Sequence, residues 1–218
     1  MMSSISCLLS KNKIDVAREQ KFLNASTSEN QLLKSRYKSN NKDFIAFNFS
    51  NLSLNSDIDI CNLSGIITNF IGDITNRHDL IEKLGLNKDV KNSTIISYAY
   101  KQWGRTFAEK IYGFFSIIIY ETKNKKIIAI NDHLGSKPLY FFKSSGNFLI
   151  SSEINTILNM VDEKSPNFSR IRDYFIFFNG KPGETFFNGI SRLEPGSQIL
   201  FHNNVITKTK YHNYDLTN

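Results

Sequence analysis

The stretch YGFFSIIIYETKNKKIIAINDHLGSKPLYFF, Tyr112 to Phe142, decides how this chain folds. Its first part, GFFSIIIY, is almost continuously apolar and rich in β-branched and aromatic residues. Such a run reads as a strand covered on both faces. TKNKK interrupts it and KIIAIN resumes it, so the two runs are expected to pair as an antiparallel hairpin. A polar turn, NDHLGSKP, then leads into a third apolar run. Gly135 suits a left-handed turn position. Pro138 fixes φ and removes a donor just before the strand begins. Asp132 suits acceptance of the N–H groups of its own turn. Asp132 beside His133 also raises metal or acid–base chemistry. Two adjacent residues on one turn rarely converge, and no third ligand is near, so a plain turn is the better reading.

Working outward, PLYFFKSSGNFLISS reads as a second hairpin turning at Ser145-Gly146. EINTILNMV reads as a short helix. Pro166 separates it from a helix over SRIRDYFIFFNG, with Ser169 expected to cap it and Gly180 to end it. SQILFHNNVITKTKYH is a closing hairpin turning at Asn203-Asn204. Upstream, STIISYAYKQWGRTFAEKI reads as one helix with Ile96, Ala99, Tyr100, Trp103 and Phe107 on its apolar stripe, although Gly104 weakens its middle. Trp103 reads as a core anchor, and His78 and His202 as solvent-side residues. NRHDLIEKLG is a short helix that Asn76 can cap and Gly85 can end. SGIITNFIGD and DFIAFNF read as strands, and residues 11–42 as a short helix and a long loop. Antiparallel hairpins whose strands are apolar on both faces favour an α+β domain with sheets packed between helices. No linker or repeat divides residues 1–218.

Composition sets outer limits. The chain has 218 residues, 40% hydrophobic and 22% charged, with 18 Phe and 9 Tyr to fill a core. Its net charge of +7 comes from scattered lysines, with only Lys123–Lys126 locally dense. No nucleic-acid motif accompanies the charge, so no nucleic-acid partner is expected. No apolar run is long enough for a membrane span, and the first residues make a poor signal peptide, so a cytoplasmic protein is expected. Cys7 and Cys61 are too few for a disulfide framework and lack zinc spacing, and no metal is expected.

The turn INDHLGSKPLY resembles the R-D-x-x-G-x-x-P-L-Y turn in the N-terminal domain of asparagine synthetases and other class-II glutamine amidotransferases. The segments from Ile95 through FLISSEINTIL to ETFFNGISRLEPGSQILF resemble that family in order. The resemblance implies an Ntn-hydrolase fold, a four-layer αββα sandwich of two antiparallel sheets. It implies one glutamine amidotransferase type-2 domain over 1–218, with 211–218 starting a linker to a synthetase domain. It also implies that Asp132, Lys137 and Tyr140 lie at the face that meets a synthetase domain.

The family's glutaminase chemistry needs a cysteine at the mature N-terminus, with its own amino group as base and an Asn-Gly pair at the oxyanion. Laid over the family's Cys-Gly-Ile opening, Ser3 falls at the cysteine and Ser4 at the glycine. Ser3 or Cys7 is therefore a fallback nucleophile only, and Cys7 reads more simply as a small buried hydrophobe on the first strand. In FIGDITN, Ile71 replaces the oxyanion asparagine, Gly72 stays, and Asp73 replaces a glutamate. Asn51 stands where an arginine would hold the glutamine carboxylate, and Asn92 where an aspartate would bind its amine. An ion-pair partner lost at a binding site costs about 2–5 kcal/mol. A lost oxyanion donor costs about 3 kcal/mol. The expectation is a degenerate pocket, a pseudoenzyme serving as a structural or docking subunit for an ATP-dependent amide-forming synthetase. The alternative is an active glutaminase supplying ammonia for asparagine biosynthesis or other amide formation. The SGGxDS nucleotide loop is absent, so ATP and Mg are expected to belong to a partner asparagine synthetase-like ATP-pyrophosphatase domain; a homodimer is a second partner expectation.

Overall fold

Two six-stranded antiparallel sheets stack face to face, with helices on their outer faces. This computed structural model describes residues 4–11, 14–26, 33–38, 43–49, 59–178 and 180–213. In chain order the elements begin β1 (Ser4–Ser10), α1 (Val16–Ser26), β2 (Leu33–Lys38), β3 (Phe44–Phe49), β4 (Asp59–Leu63) and β5 (Ile66–Ile74). Next come α2 (Arg77–Leu84), α3 (Asn92–Trp103) and a 3₁₀ segment (Gly104–Lys110). Then follow β6 (Gly113–Glu121), β7 (Lys126–Asn131), β8 (Tyr140–Ser144), β9 (Asn147–Ser151), α4 (Ile154–Met160) and α5 (Phe168–Phe177). β10 (Ile190–Arg192), β11 (Ser197–His202) and β12 (Val205–Lys210) close the chain. One sheet runs β10-β8-β9-β1-β3-β2 and the other β12-β11-β7-β6-β5-β4.

β6 explains why the layers stack this way. Every residue from Phe115 to Tyr120 is buried. Successive side chains point to opposite faces of a strand. Phe115, Ile117 and Ile119 accordingly join the cluster beneath α2 and α3, with Ile95, Ile96 and Ala99. Ile118 and Tyr120 face the other sheet and share a cluster with its Ile5, Cys7 and Phe148 and with Phe201 of their own sheet. A third cluster joins Leu8, Leu149 and Ile190 of the first sheet to Phe22 of α1 and Ile157 of α4. The order is therefore helix, sheet, sheet, helix, the αββα sandwich expected from the sequence. The three hairpins over β6–β7, β8–β9 and β11–β12 form as expected. Asn203 and Asn204 take φ of 48° and 61°, the pair of left-handed residues that a two-residue hairpin turn demands.

Several local expectations are corrected. β2, β4 and β10 were not foreseen; β2 lies inside the stretch read as a loop. The long helix ends at Trp103, because Gly104 takes φ 57°, ψ −145° and the chain tightens into the 3₁₀ segment. Trp103 is only half-buried at that helix end, with the Lys110 ammonium 5.7 Å from its ring centroid. His202 is half-buried, whereas His78 is exposed. Gly85 closes α2 in the left-handed conformation as expected. Asn76 does not cap that helix: its side chain donates to Lys110 C=O at 2.9 Å and accepts from Tyr112 N–H at 2.9 Å. It fastens the start of α2 to the entry of β6. Asn167, two residues before the expected Ser169, caps α5 by accepting Arg170 N–H at 3.1 Å, and Phe178 ends it. Among the described residues no helix is long and apolar enough to cross a membrane.

Candidate functional site

The Asp132 turn is built first by its backbone. Asp132 is fully buried. Its carboxylate accepts N–H groups from Phe115 (3.1 Å), Leu134 (2.8 Å) and Ser136 (3.1 Å), and the Ser136 hydroxyl. Its C=O accepts Gly135 N–H at 3.1 Å and Gly196 N–H at 2.8 Å. One residue thus ties β6, its own turn and the start of β11 together. Asn131 adds a second tie, donating to Leu193 C=O at 3.3 Å and accepting from the Ser116 hydroxyl at 3.3 Å. Gly135 sits at φ +65°, and a Cβ there would stand 2.9 Å from Pro195 Cγ. The specialised residues of the turn are explained by packing and hydrogen bonding.

His133 points away from this knot. It stacks on Tyr112 at 5.8 Å and meets His212 edge-on at 4.4 Å between centroids. Burial lowers its pKa, the neighbouring His212 lowers it further, and Asp132 opposes both. Lys137 is exposed and its C=O accepts the Ser116 hydroxyl. Tyr140 is half-buried on the helix side of the first sheet, opposite Arg192. Among the described residues no group of three His, Cys, Asp or Glu is placed to hold a metal ion.

The described residues matched to the glutaminase pocket are spread over β1, β5 and the start of α3. Ser4 is 1% exposed, and its hydroxyl has no hydrogen-bond partner among the described residues. Ile5 and Ser152 exchange bonds: Ile5 N–H donates to Ser152 Oγ at 3.1 Å and Ser152 N–H to Ile5 C=O at 2.9 Å. Cys7 is 0% exposed in the core between the sheets, and burial pushes its thiol pKa far up. A thiol so held stays protonated and unreactive. Ile71 lies in the same inter-sheet cluster as Ile5 and Cys7.

Gly72 has a backbone reason to be glycine. Its φ is +126°, and a Cβ would come within 2.0 Å of Phe114 O and 2.7 Å of Phe115 Cα. Gly113, across the same pair of strands, faces Asp73 O in the same way at 2.1 Å. Asp73 is exposed, and its carboxylate accepts the N–H of the next residue, Ile74, at 2.8 Å. Asn92 begins α3, is buried, and accepts Arg77 Nε–H at 3.1 Å. Arg77 also donates to the C=O groups of Lys88 and Val90, so the pair braces the α2–α3 connection. Ser3 and Asn51 lie outside the described residues.

Sequence reasoning passed over Glu153. It follows Ser152 at the same end of β1, is half-buried, and burial raises its pKa. A glutamate directly after a buried strand, in ISSE, was the available signal. It also passed over Arg77, whose reach to the α3 start depends on a loop conformation that no local pattern encodes.

Residues 61–212 match the family model of the glutamine amidotransferase domain. Asparagine synthetase [glutamine-hydrolyzing] 3 of Bacillus subtilis is 26% identical over 151 residues, covering 66% of this chain and 24% of the relative. A Methanocaldococcus jannaschii protein described as a putative asparagine synthetase is 25% identical over 155 residues, covering 69% and 30%. The chain thus spans about a quarter of the length of such relatives. Among solved structures, glutamine phosphoribosylpyrophosphate amidotransferase from B. subtilis superposes at a TM-score of 0.60 with 10% identity, covering 96% of this chain and 49% of that one. A class-II domain protein from Silicibacter pomeroyi gives 0.50 at 10% identity, covering 98% of this chain and 100% of that one.

Proposed function

The chain belongs to the glutamine amidotransferase domain family, and from that premise we propose that it keeps the scaffold without the glutaminase reaction. It serves as a cytoplasmic structural or docking subunit for an ATP-dependent, amide-forming synthetase. Residues 1–218 form one such domain, with 211–218 opening the linker. The observation that carries this reading is the sealed thiol. Cys7 is wholly buried between the sheets, three strand positions inward from Ser4. No thiolate is available there to attack a glutamine amide, and burial disfavours forming one.

The neighbouring groups support the same reading. Ile71 contributes a butyl side chain to the core and no donor toward an oxyanion. Asn92 already accepts from Arg77, and it carries no charge with which to hold a substrate ammonium. ATP and Mg belong to the partner in this scheme. Gly72, which would supply a backbone N–H to an oxyanion, favours the alternative of an active enzyme with Ser3 or Cys7 terminal.

The test is direct. Purified protein is incubated with glutamine and released glutamate is measured, with intact mass recorded in parallel. The expected result is no release above buffer from a chain that retains its residues before Ser3 or Cys7. Brisk release from a chain processed to Ser3 or Cys7 rejects the proposal in favour of the ammonia-supplying enzyme.

A further inference from the structure

A cavity of about 350 Å³ opens between the two sheets at the end of β1, about 20 Å along the strand from Ser4. Its floor is apolar. Leu9, Phe148 and Phe201 belong to the inter-sheet cluster, and the Phe148 and Phe201 rings stack across the sheets at 4.1 Å and 6°. Its mouth is polar, ringed by exposed turn residues of three hairpins: Lys125, Ser145 and the pair Asn203-Asn204. Backbone bonds fix the remaining wall. Asp43 C=O accepts Ser10 N–H at 2.9 Å, and Gly146 C=O accepts Lys11 N–H at 2.7 Å.

The charge on the lining selects the ligand. Asp43 is 5% exposed, and its carboxylate is already satisfied. Lys125 Nζ stands 2.6 Å from one oxygen, and the buried Tyr120 hydroxyl donates to the other at 3.4 Å. That ion pair is neutral. Lys11 lines the same cavity, is exposed, and has no ion-pair partner among the described residues. Two lysines against one aspartate leave one positive charge at the mouth of an apolar cleft.

We propose that this cavity binds a small monocarboxylate with an apolar body. The body lies on Leu9, Phe148 and Phe201, and the carboxylate meets the ammonium groups of Lys11 and Lys125 at the mouth. The volume falls at the lower end of the range of about 300–1,000 Å³ for ligand sites, so the body is compact. A cationic ligand would have to displace Lys125 from Asp43 and face Lys11 as well. A neutral ligand would gain nothing from either lysine. The inference goes beyond the scaffold reading and stands whether or not that reading holds.

Calorimetry on the full chain tests this with three probes that share one body: 3-phenylpropionate, 3-phenylpropan-1-ol and 3-phenylpropylamine. The carboxylate is expected to bind one to one with a Kd of about 0.1–1 mM, at least ~10-fold tighter than the alcohol or the amine. Lys11→Gln, at an exposed position, should weaken it about 10-fold without moving the denaturation midpoint. Phe201→Leu should weaken it about 3- to 10-fold. Lys125→Met strips Asp43 of its cation, so the amine should then bind more tightly than the carboxylate. If either of those two variants fails to fold, Lys11→Gln still decides. Lys101→Gln, exposed on α3, should change nothing. Absence of carboxylate binding at about 10 mM overturns the proposal. So does equal binding of the three probes, or carboxylate binding that Lys11→Gln leaves unchanged.

Discussion

Replacement of Asp132 by Ala distinguishes a turn organiser from a surface contact. The carboxylate accepts three N–H groups and one hydroxyl, and no part of the residue is exposed. The three N–H groups are not equivalent. Leu134 and Ser136 are exposed residues, so their N–H groups can turn to water at a net loss of about 0.5–1.5 kcal/mol each. Phe115 is wholly buried on the covered central strand β6, and leaving its N–H unpaired costs about 1–3 kcal/mol. The expected loss is therefore about 4 kcal/mol, read as a lower urea midpoint with an unchanged denaturant slope. Asp132→Asn keeps one acceptor oxygen and should lose roughly half as much. Lys137→Ala removes an exposed ammonium from the same turn and should change stability by less than about 0.5 kcal/mol. A loss below about 1 kcal/mol for Asp132→Ala refutes the argument. It would mean that the turn holds its shape by β6–β7 pairing alone.

Gly72→Ala places a methyl group 2.0 Å from Phe114 O at φ +126°. Strain at such a conformation costs about 1–3 kcal/mol, and the clash adds to it. A loss above about 3 kcal/mol by urea denaturation is expected, and a near-neutral change would contradict the close β5–β6 approach. Cys7 should resist a thiol reagent in native protein and react only after unfolding; Cys61→Ser isolates its signal, and rapid native labelling would reject the sealed thiol. His133 has a folded-state pKa lowered from 6.5, so it binds its proton less readily in the native chain. Its contribution to stability is present above pH 6.5 and is lost as pH falls through the lower folded value. The midpoint should drop over that window, and His133→Asn should flatten the drop. An unchanged pH profile in that variant would place the titration elsewhere.

The central sheet was legible because its signal is dense. GFFSIIIY and KIIAI have no wet face, and continuous burial leaves few alternatives to a doubly covered strand. Hairpins were legible where Gly or Asn marks a left-handed turn, as at Gly146 and Asn203-Asn204. The edge strands were not. β2, LKSRYK, and β4, DICNL, are short and polar, and pairing with β3 and β5 supplies what their sequences lack. Caps misled for a related reason. Asn76 and Ser169 both have the right chemistry, but tertiary partners at Lys110 and Tyr112 claimed one, and Asn167 captured the other's role. At the candidate site, the burial of Cys7 was readable from its small apolar side chain on the first strand, every residue of which is buried. The engagement of Asn92 by Arg77 was not, because it joins two helices through a loop.

Gly72 shows why a retained family residue is poor evidence for a retained reaction. An oxyanion hole would call for glycine there, but so does the sheet: β5 and β6 approach so closely that Gly72 and Gly113 each face the opposing backbone. The same holds for Asp132, which the turn needs whatever the protein does. Residues with two jobs survive the loss of either one. Catalysis must therefore be judged at positions whose side chains the framework does not require. At Ile71 the side chain has joined the apolar core, and at Asn92 it has joined the α2–α3 brace. Ile71→Asn is informative in both directions. If the cleft retains a working nucleophile, a restored amide should raise glutamate release by about 10²–10³-fold. If it does not, the variant should only lose stability, by about 2–4 kcal/mol for a polar group placed among Ile5 and Cys7. Increased glutamate release would overturn the proposal that the reaction has been lost.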